Sequence, residues 1–325
     1  MSWRDRTVLV TGATGLVGSW LCKRLRDEGA HVVALVADVD PRSEVVRSGT
    51  LPHLTVVPGL LSDPVAVDRA VLGHQVQSVF HLGAQTIVGA ARLDPVATFE
   101  ANIRGTYLLL DACRRGGGRV EQIVVASSDK AYGRSGELPY TESMSLHGVQ
   151  PYEVSKSCTD LLAQSFAATY ALPVAVARCG NIYGGGDLNW SRIVPGTLKS
   201  LVRGETPVIR SDGTQVRDYL HVSDVVEAYL ALAGWVDDAG GPGEEIAFNF
   251  SDEAPRTVLE MYDAVCSAFG ASPAPEVLGG ATDEIPEQHL DASRARTVLG
   301  WKAAMSLQEG LGEAATWYSS LLADR

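Results

Sequence analysis

The stretch Thr7-Val8-Leu9-Val10-Thr11-Gly12-Ala13-Thr14-Gly15-Leu16-Val17-Gly18 decides the fold. Thr7–Val10 is β-branched and aliphatic and reads as a buried strand. It runs into three glycines spaced GxxGxxG. Leu16–Glu28 then places Leu16, Trp20, Leu21 and Leu25 at helical spacing, with Lys23, Arg24 and Asp27 on the other side, and Gly29 stops the helix. Gly12 permits a tight turn, Gly15 lets backbone N–H groups approach a pyrophosphate, and Gly18 lets the helix lie close on a sheet. The spacing differs from the GxGxxG fingerprint, but the strand–turn–helix context is the same. It predicts a dinucleotide held by Gly12, Thr14, Gly15, Leu16 and Val17.

Outward from this unit, short apolar runs alternate with amphipathic ones. His31–Val36, Leu54–Val57, Ser78–His81, Gln122–Ala126 and Val174–Ala177 read as strands. Pro64–Leu72, Val96–Cys113 and Pro151–Tyr170 read as helices between them. Such alternation predicts an α/β fold, a Rossmann-type doubly wound parallel sheet with helices on both faces. After Gly180 the elements shorten, with glycines at 184–186 and a turn at Asp212-Gly213. Val222–Leu232 is helical again and Ile246–Phe250 strand-like, followed by helical patterns at Val258–Phe269, Ala292–Leu299 and Leu307–Leu322. The expected organisation is a dinucleotide domain over 1–177 plus about 217–250, and a smaller mixed α/β substrate lobe over 178–216 and 251–325.

The 325 residues carry a net charge of −12, which argues against a chain-wide nucleic-acid footprint. No apolar run approaches the roughly 20 residues of a membrane span. Five cysteines without a CxxC read as reduced thiols of a cytoplasmic protein, and seven histidines without HExxH or a close pair offer no metal site.

Two further clusters carry chemistry. Tyr152-Glu153-Val154-Ser155-Lys156 puts a phenol and an amine at i and i+4 on one helix face. A tyrosine serves as base only if nearby positive charge brings its pKa down from about 10. Ser127-Ser128-Asp129-Lys130 ends the strand Gln122–Ala126, where open α/β sheets place ligands. Asp38 lies 20 residues beyond Gly18 near the end of the second strand. There a carboxylate accepts from an adenosine ribose and repels a 2′-phosphate, favouring NAD over NADP; the alternative is a solvated loop residue beside Pro41.

This combination resembles the extended short-chain dehydrogenase/reductase family of nucleotide-sugar epimerases and dehydratases over nearly the whole chain. The matching stretches are VTGATGLVGSWL (10–21), HLGAQ (81–85), NIRGT (102–106), SSDKAYG (127–133), PYEVSK (151–156), RCGNIYGGGD (178–187), RIVP (192–195), IRSDGTQVRDYLHV (209–222) and LGW (299–301). Asp129-Lys130, with GSWL, GNxxGGGD and RIVP, resembles the CDP-glucose 4,6-dehydratase branch. The resemblance implies NAD as cofactor, a CDP-glucose substrate and a homodimer paired through Val96–Cys113 and Pro151–Tyr170. It implies that Tyr152 takes the 4-hydroxyl proton, Ser128 hydrogen-bonds that oxygen, and Lys156 supports the phenolate. Asp129 protonates the leaving C6 hydroxyl and Lys130 is the base at C5. Tyr152 and Lys156 also face the cofactor.

By the same resemblance Asn181, Arg192, Arg210 and Arg217 clamp the sugar diphosphate, since arginine forks suit phosphate oxygens. Arg192 has a second reading as a helix-start charge. Gln85 and Asn102 line the site or are structural. His81 is read as a packed residue, with the backbone after it, Leu82 and Ala84, beside the cofactor. The family often has an acid after Gly59; here Leu60 stands, and Asp63 either substitutes or caps the next helix. Alternatives are a UDP-sugar 4-epimerase, which has no use for Asp129 and Lys130, and a non-catalytic NAD(H)-binding regulator.

Overall fold

The structure is a computed structural model that describes residues 2–239, 245–280 and 285–323. Parts of the expected domain ranges, 240–244, 281–284 and 324–325, lie outside the described residues. Seven parallel strands form the central sheet: β1 Thr7–Thr11, β2 His31–Val36, β3 Thr55–Pro58, β4 Ser78–His81, β5 Gln122–Ala126, β6 Val174–Cys179 and β7 Ala247–Phe250. Their spatial order is β7-β6-β5-β4-β1-β2-β3. The order reverses between β1 and β4, and open sheets bind ligands in the crevice at such a point. Strands β4 to β6 are buried but for Ala126 at the cleft end of β5, so their runs of Val, Ile, Ala and Phe show no polar alternation.

One apolar core lies on each face of the sheet. Leu21, Cys22 and Leu25 of α1 (Leu16–Asp27) pack with Val225, Tyr229 and Leu232 of the helix Val222–Ala239 on one side. Leu109, Leu110 and Ala163 pack on the other. The expected helix Val96–Cys113 is interrupted. Pro95–Phe99 is α, Glu100–Arg104 is a π turn, and α resumes at Gly105–Arg115. Apolar spacing runs through the interruption, so periodicity does not reveal it. After β6 the chain builds a second cluster. Val194 and Leu198 of the helix Ile193–Arg203, Met261 and Val265 of Val258–Phe269, and Leu311, Ala314 and Tyr318 of Leu307–Ala323 form its core. No helix among the described residues is long and apolar enough to cross a membrane. All five cysteines are free thiols, four of them buried.

Candidate active site

A large cleft opens at the carboxyl ends of the strands. Gly12, Thr14, Gly15, Leu16, Val17, Asp38, Leu82 and Ala84 line one end of it. Gly12 adopts φ +71°, and a Cβ there would lie 2.8 Å from Gly83 N; a Cβ on Gly18 would meet Gly12 O at 2.0 Å. No side chain caps α1 at Gly15, and its first turn holds no acid. The partial positive charge of that helix end is therefore unmasked where its residues line the cleft, which suits a pyrophosphate. Asp38 stands exposed just past β2. Asp63 accepts from Val65 N at 2.9 Å and caps the next short helix.

Below this end runs a buried relay. Gly83 N–H donates to Thr11 Oγ1 (2.9 Å), which meets His81 Nδ1 at 2.9 Å. His81 Nε2 meets Thr106 Oγ1 at 3.0 Å, and Thr106 donates to Asn102 O at 2.5 Å. Only the neutral Nε2–H tautomer satisfies every member, and burial pushes the imidazole down to about 3. His81 is structural. Asn102 is buried and does not line the cleft. Its amide accepts from Gln85 N (2.7 Å) and donates to Gln85 O (3.0 Å) and Ser155 Oγ (2.9 Å), so the π turn ties the loop after β4 to the helix Pro151–Tyr170. Gln85 does line the cleft, its oxygen accepting from Ile87 N at 2.8 Å.

The cluster at the end of β5 is compact. Ser128 Oγ donates to Asp129 Oδ1 at 2.9 Å, and Lys130 Nζ donates to Asp129 Oδ2 at 2.9 Å. A 3₁₀ turn over Asp129–Tyr132, capped by Ser128, sets this arrangement. Burial lowers the Lys130 pKa and Arg217 adds to the lowering, against the opposing pull of Asp129. Lys156 Nζ donates to Ala126 O at 2.8 Å, and burial brings its amine down to about 8. Tyr152 also lines the cleft. Enclosure by protein raises its phenol to about 12, outweighing the nearby Arg192 guanidinium and the Ser128 hydroxyl, both of which favour phenolate. Of the protein's cations, Arg192 has the largest influence on Tyr152.

Arg192 opens the helix Ile193–Arg203 and pairs with buried Asp187 at 3.0 Å. Arg217 is buried in the same wall, donating to the carbonyls of Val216 (2.7 Å), Ile285 (2.6 Å) and Pro286 (3.2 Å). Arg210 is exposed and donates to Ser191 O at 3.1 Å. Asn181, Arg192, Arg210 and Arg217 all line the cleft.

Residues 8–249 match the model of the NAD dependent epimerase/dehydratase family. The chain belongs to that family. Its cofactor is NAD, which the phosphate loop fits. Curated relatives include the CDP-glucose 4,6-dehydratase of Salmonella typhimurium, 30% identical with 98% of this chain and 92% of that enzyme covered. The UDP-glucose 4-epimerase of Mycolicibacterium smegmatis is also 30% identical, over 95% and 97%. Among solved structures, a UDP-glucose 4-epimerase from Stenotrophomonas maltophila with bound NAD superposes with TM-score 0.88 at 26% identity, covering 99% and 100% of the chains. A dTDP-glucose 4,6-dehydratase from Streptomyces venezuelae with NAD bound gives 0.84 at 25%, over 96% of each chain.

In this epimerase/dehydratase several side chains that shape the site gave no signal that the sequence reading used. Asp187, at the end of GGGD, holds Arg192. Arg178 Nε and Nη2 grip Asp160 of the Tyr152 helix at 2.8 and 3.0 Å, and Nη1 donates to Tyr132 at 2.8 Å. That buried pair joins the catalytic helix to the 3₁₀ turn carrying Asp129 and Lys130. Motif position alone could have flagged Arg178 and Asp187, since both lie inside RCGNIYGGGD.

Proposed function

We propose that the protein is a nucleotide-sugar 4,6-dehydratase, a hydro-lyase, acting on CDP-glucose and yielding CDP-4-keto-6-deoxyglucose. The observation that carries this reading is the Asp129–Lys130 pair beside Ser128 in the cleft. NAD, when bound against the phosphate loop, would supply the hydride acceptor for C4 and the hydride donor for C6. Tyr152 takes the 4-hydroxyl proton, Ser128 hydrogen-bonds the same oxygen, and the Arg192 and Lys156 cations stabilise the phenolate. Passage of one proton from Lys130 Nζ to Asp129 Oδ2 turns the ion pair into a neutral amine and a carboxylic acid. The 4-ketone acidifies C5–H; the amine takes that proton as the carboxylic acid protonates O6, and water leaves. The pair then stands as ammonium and carboxylate; the Lys130 ammonium returns a proton to C5 as hydride reaches C6, and the proton taken by Tyr152 passes through solvent to re-form the ammonium. Lys130's lowered pKa supports this exchange.

In the same reading Asp38 accepts from the adenosine ribose, Leu82 and Ala84 back the cofactor, and Gln85, Asn181, Arg192, Arg210 and Arg217 hold the nucleotide sugar. Leu93, Val96 and Leu161, exposed on the helices flanking the Tyr152 helix or on that helix itself, favour a homodimer through this face. The free thiols favour a cytoplasmic location. Incubation with CDP-, UDP- and dTDP-glucose and mass analysis for loss of water tests the reading. A UDP-sugar epimerised at C4 without loss of water would replace it with the 4-epimerase.

A further inference from the structure

We propose that Gln215 reads the base of the nucleotide, and that its acceptor oxygen makes the cleft select cytosine over uracil and thymine. The inference rests on the nucleotide-sugar reading above. The two-residue strand Val216–Arg217 pairs antiparallel with Arg256–Thr257 and parallel with Glu287–Gln288. Residues two apart on an extended chain share a face, about 6.6 Å apart. Gln215 and Arg217 both line the cleft accordingly. Arg217 acts electrostatically on Lys130, so it lies toward the chemical end of the cleft, and Gln215 is its neighbour on the same face. A nucleoside diphosphate sugar is ordered sugar, diphosphate, ribose, base. A phosphate-binding arginine with a polar amide beside it fits that order.

Gln215 is 8% exposed, and its Oε1 is buried with no hydrogen-bond partner among the described residues. The orientation of the amide is fixed. Nε2 donates to Asp212 Oδ1 at 3.0 Å, and the same oxygen accepts from Thr214 N and Oγ1 at 2.9 and 2.8 Å. A carboxylate only accepts, so the amide oxygen must be the free end. Ile209 and Val258 line the cleft with it, giving apolar surface for a planar ring. A buried acceptor calls for a donor. Cytosine offers its exocyclic 4-amino group, where uracil and thymine carry a carbonyl oxygen. A carbonyl facing Gln215 Oε1 leaves two acceptors unpaired, and sites of this kind reject the mismatched ligand strongly.

The test is calorimetric titration of the NAD-loaded enzyme with CDP, UDP and dTDP, which needs no turnover. CDP should bind at least about tenfold more tightly than the other two, the effect of one decisive hydrogen bond. Gln215→Leu should bring CDP to the level of UDP while leaving UDP within about twofold, since a missing acceptor costs only the ligand that used it. Asp212→Asn keeps the carbonyl that Thr214 uses but lets the Gln215 amide turn over, so UDP should tighten and the preference shrink. A wild type that binds CDP and UDP alike overturns the proposal, as does a Gln215→Leu enzyme weakened equally for all three or for none. If Gln215→Leu fails to fold, Asp212→Asn decides, because Asp212 is exposed; an unchanged CDP-to-UDP ratio then sinks the idea. The dehydratase reading fails separately, through absence of dehydrated product.

Discussion

Lys130 Nζ lies 2.9 Å from Asp129 Oδ2, and the other oxygen of the same carboxyl accepts from Ser128 at 2.9 Å. One carboxyl thus touches both the group assigned to C4 oxidation and the base assigned to C5. Asp129→Asn keeps the shape without an acidic proton, and Lys130→Met keeps the stem without the amine. Both should still oxidise C4, so enzyme-bound NADH should build up on adding CDP-glucose while dehydrated product falls by about 10²–10⁴. Tyr152→Phe should give neither signal. Absorbance at the NADH band and product mass measure the two arms. Near-wild-type dehydration in both variants would leave the pair structural.

Arg192 bears on the pH of the first step. Burial raises the Tyr152 phenol to about 12, and the Arg192 cation is the largest opposing influence. Removing a cation disfavours phenolate, so Arg192→Gln should move the rising limb of NADH formation to higher pH and lower the rate at pH 7. A limb that stays in place while only substrate KM rises would assign Arg192 to phosphate binding alone.

Asp38 bears on cofactor choice. It stands at the end of β2, in the cleft that also holds the phosphate loop. Asp38→Ala should lose part of the preference for NAD over NADP, read from the two dissociation constants. Equal affinities in the wild type would remove its ribose role.

The phosphate loop was legible because its glycines sit at contacts where a Cβ has no room, and β1 to β6 because buried parallel strands are short continuous apolar runs. Asn102 was not. Its place on a π turn depends on Thr106 and Thr159, which hold its carbonyl from two different helices. The balance of influences on Tyr152 was not legible, because burial is a property of the assembled fold, whereas spacing shows only which charges could be near. Gln215 was passed over within a quoted motif. Its unpaired oxygen exists only once Asp212 has fixed the amide.

His81 ties the cofactor floor to acid stability. Its folded pKa is about 3, below the ordinary 6.5, so between those values the unfolded chain binds a proton that the folded chain does not. Stability must therefore fall as pH drops through that window, with this group adding about 1.4 kcal/mol per pH unit to the slope. Denaturant midpoints from pH 7 to 4 should show it. His81→Gln, less stable at pH 7, should show a shallower slope; an equal slope would show that other groups govern the acid limb.

Trp317 joins the last helix to the nucleotide-binding half of the molecule. Its Nε1–H donates to Glu44 Oε2 at 2.6 Å, and its ring lies so close to Gly185 that a Cβ there would meet Trp317 Cγ at 2.5 Å. Arg47 lies over the same ring at 5.5 Å. Trp20 Nε1 donates to Gly185 O at 2.7 Å, and the Cβ position of the next residue, Gly186, is 3.7 Å from Leu16 of the phosphate loop. Gly186 and Leu16 both line the cleft, so Trp317 and Trp20 both hold the GGGD segment beside the cofactor loop. Glu44 is buried, and losing its charge-assisted hydrogen bond should cost about 1.5–3 kcal/mol. Glu44→Gln and Trp317→Phe should therefore lower the melting temperature and, more tellingly, speed release of NAD from purified enzyme. An enzyme that returns its hydride each cycle has no turnover need for such release, so added NAD should restore the rate in both variants. Release followed by protein fluorescence at fixed temperature measures it. Unchanged NAD release alongside a lowered melting temperature would confine this contact to stability.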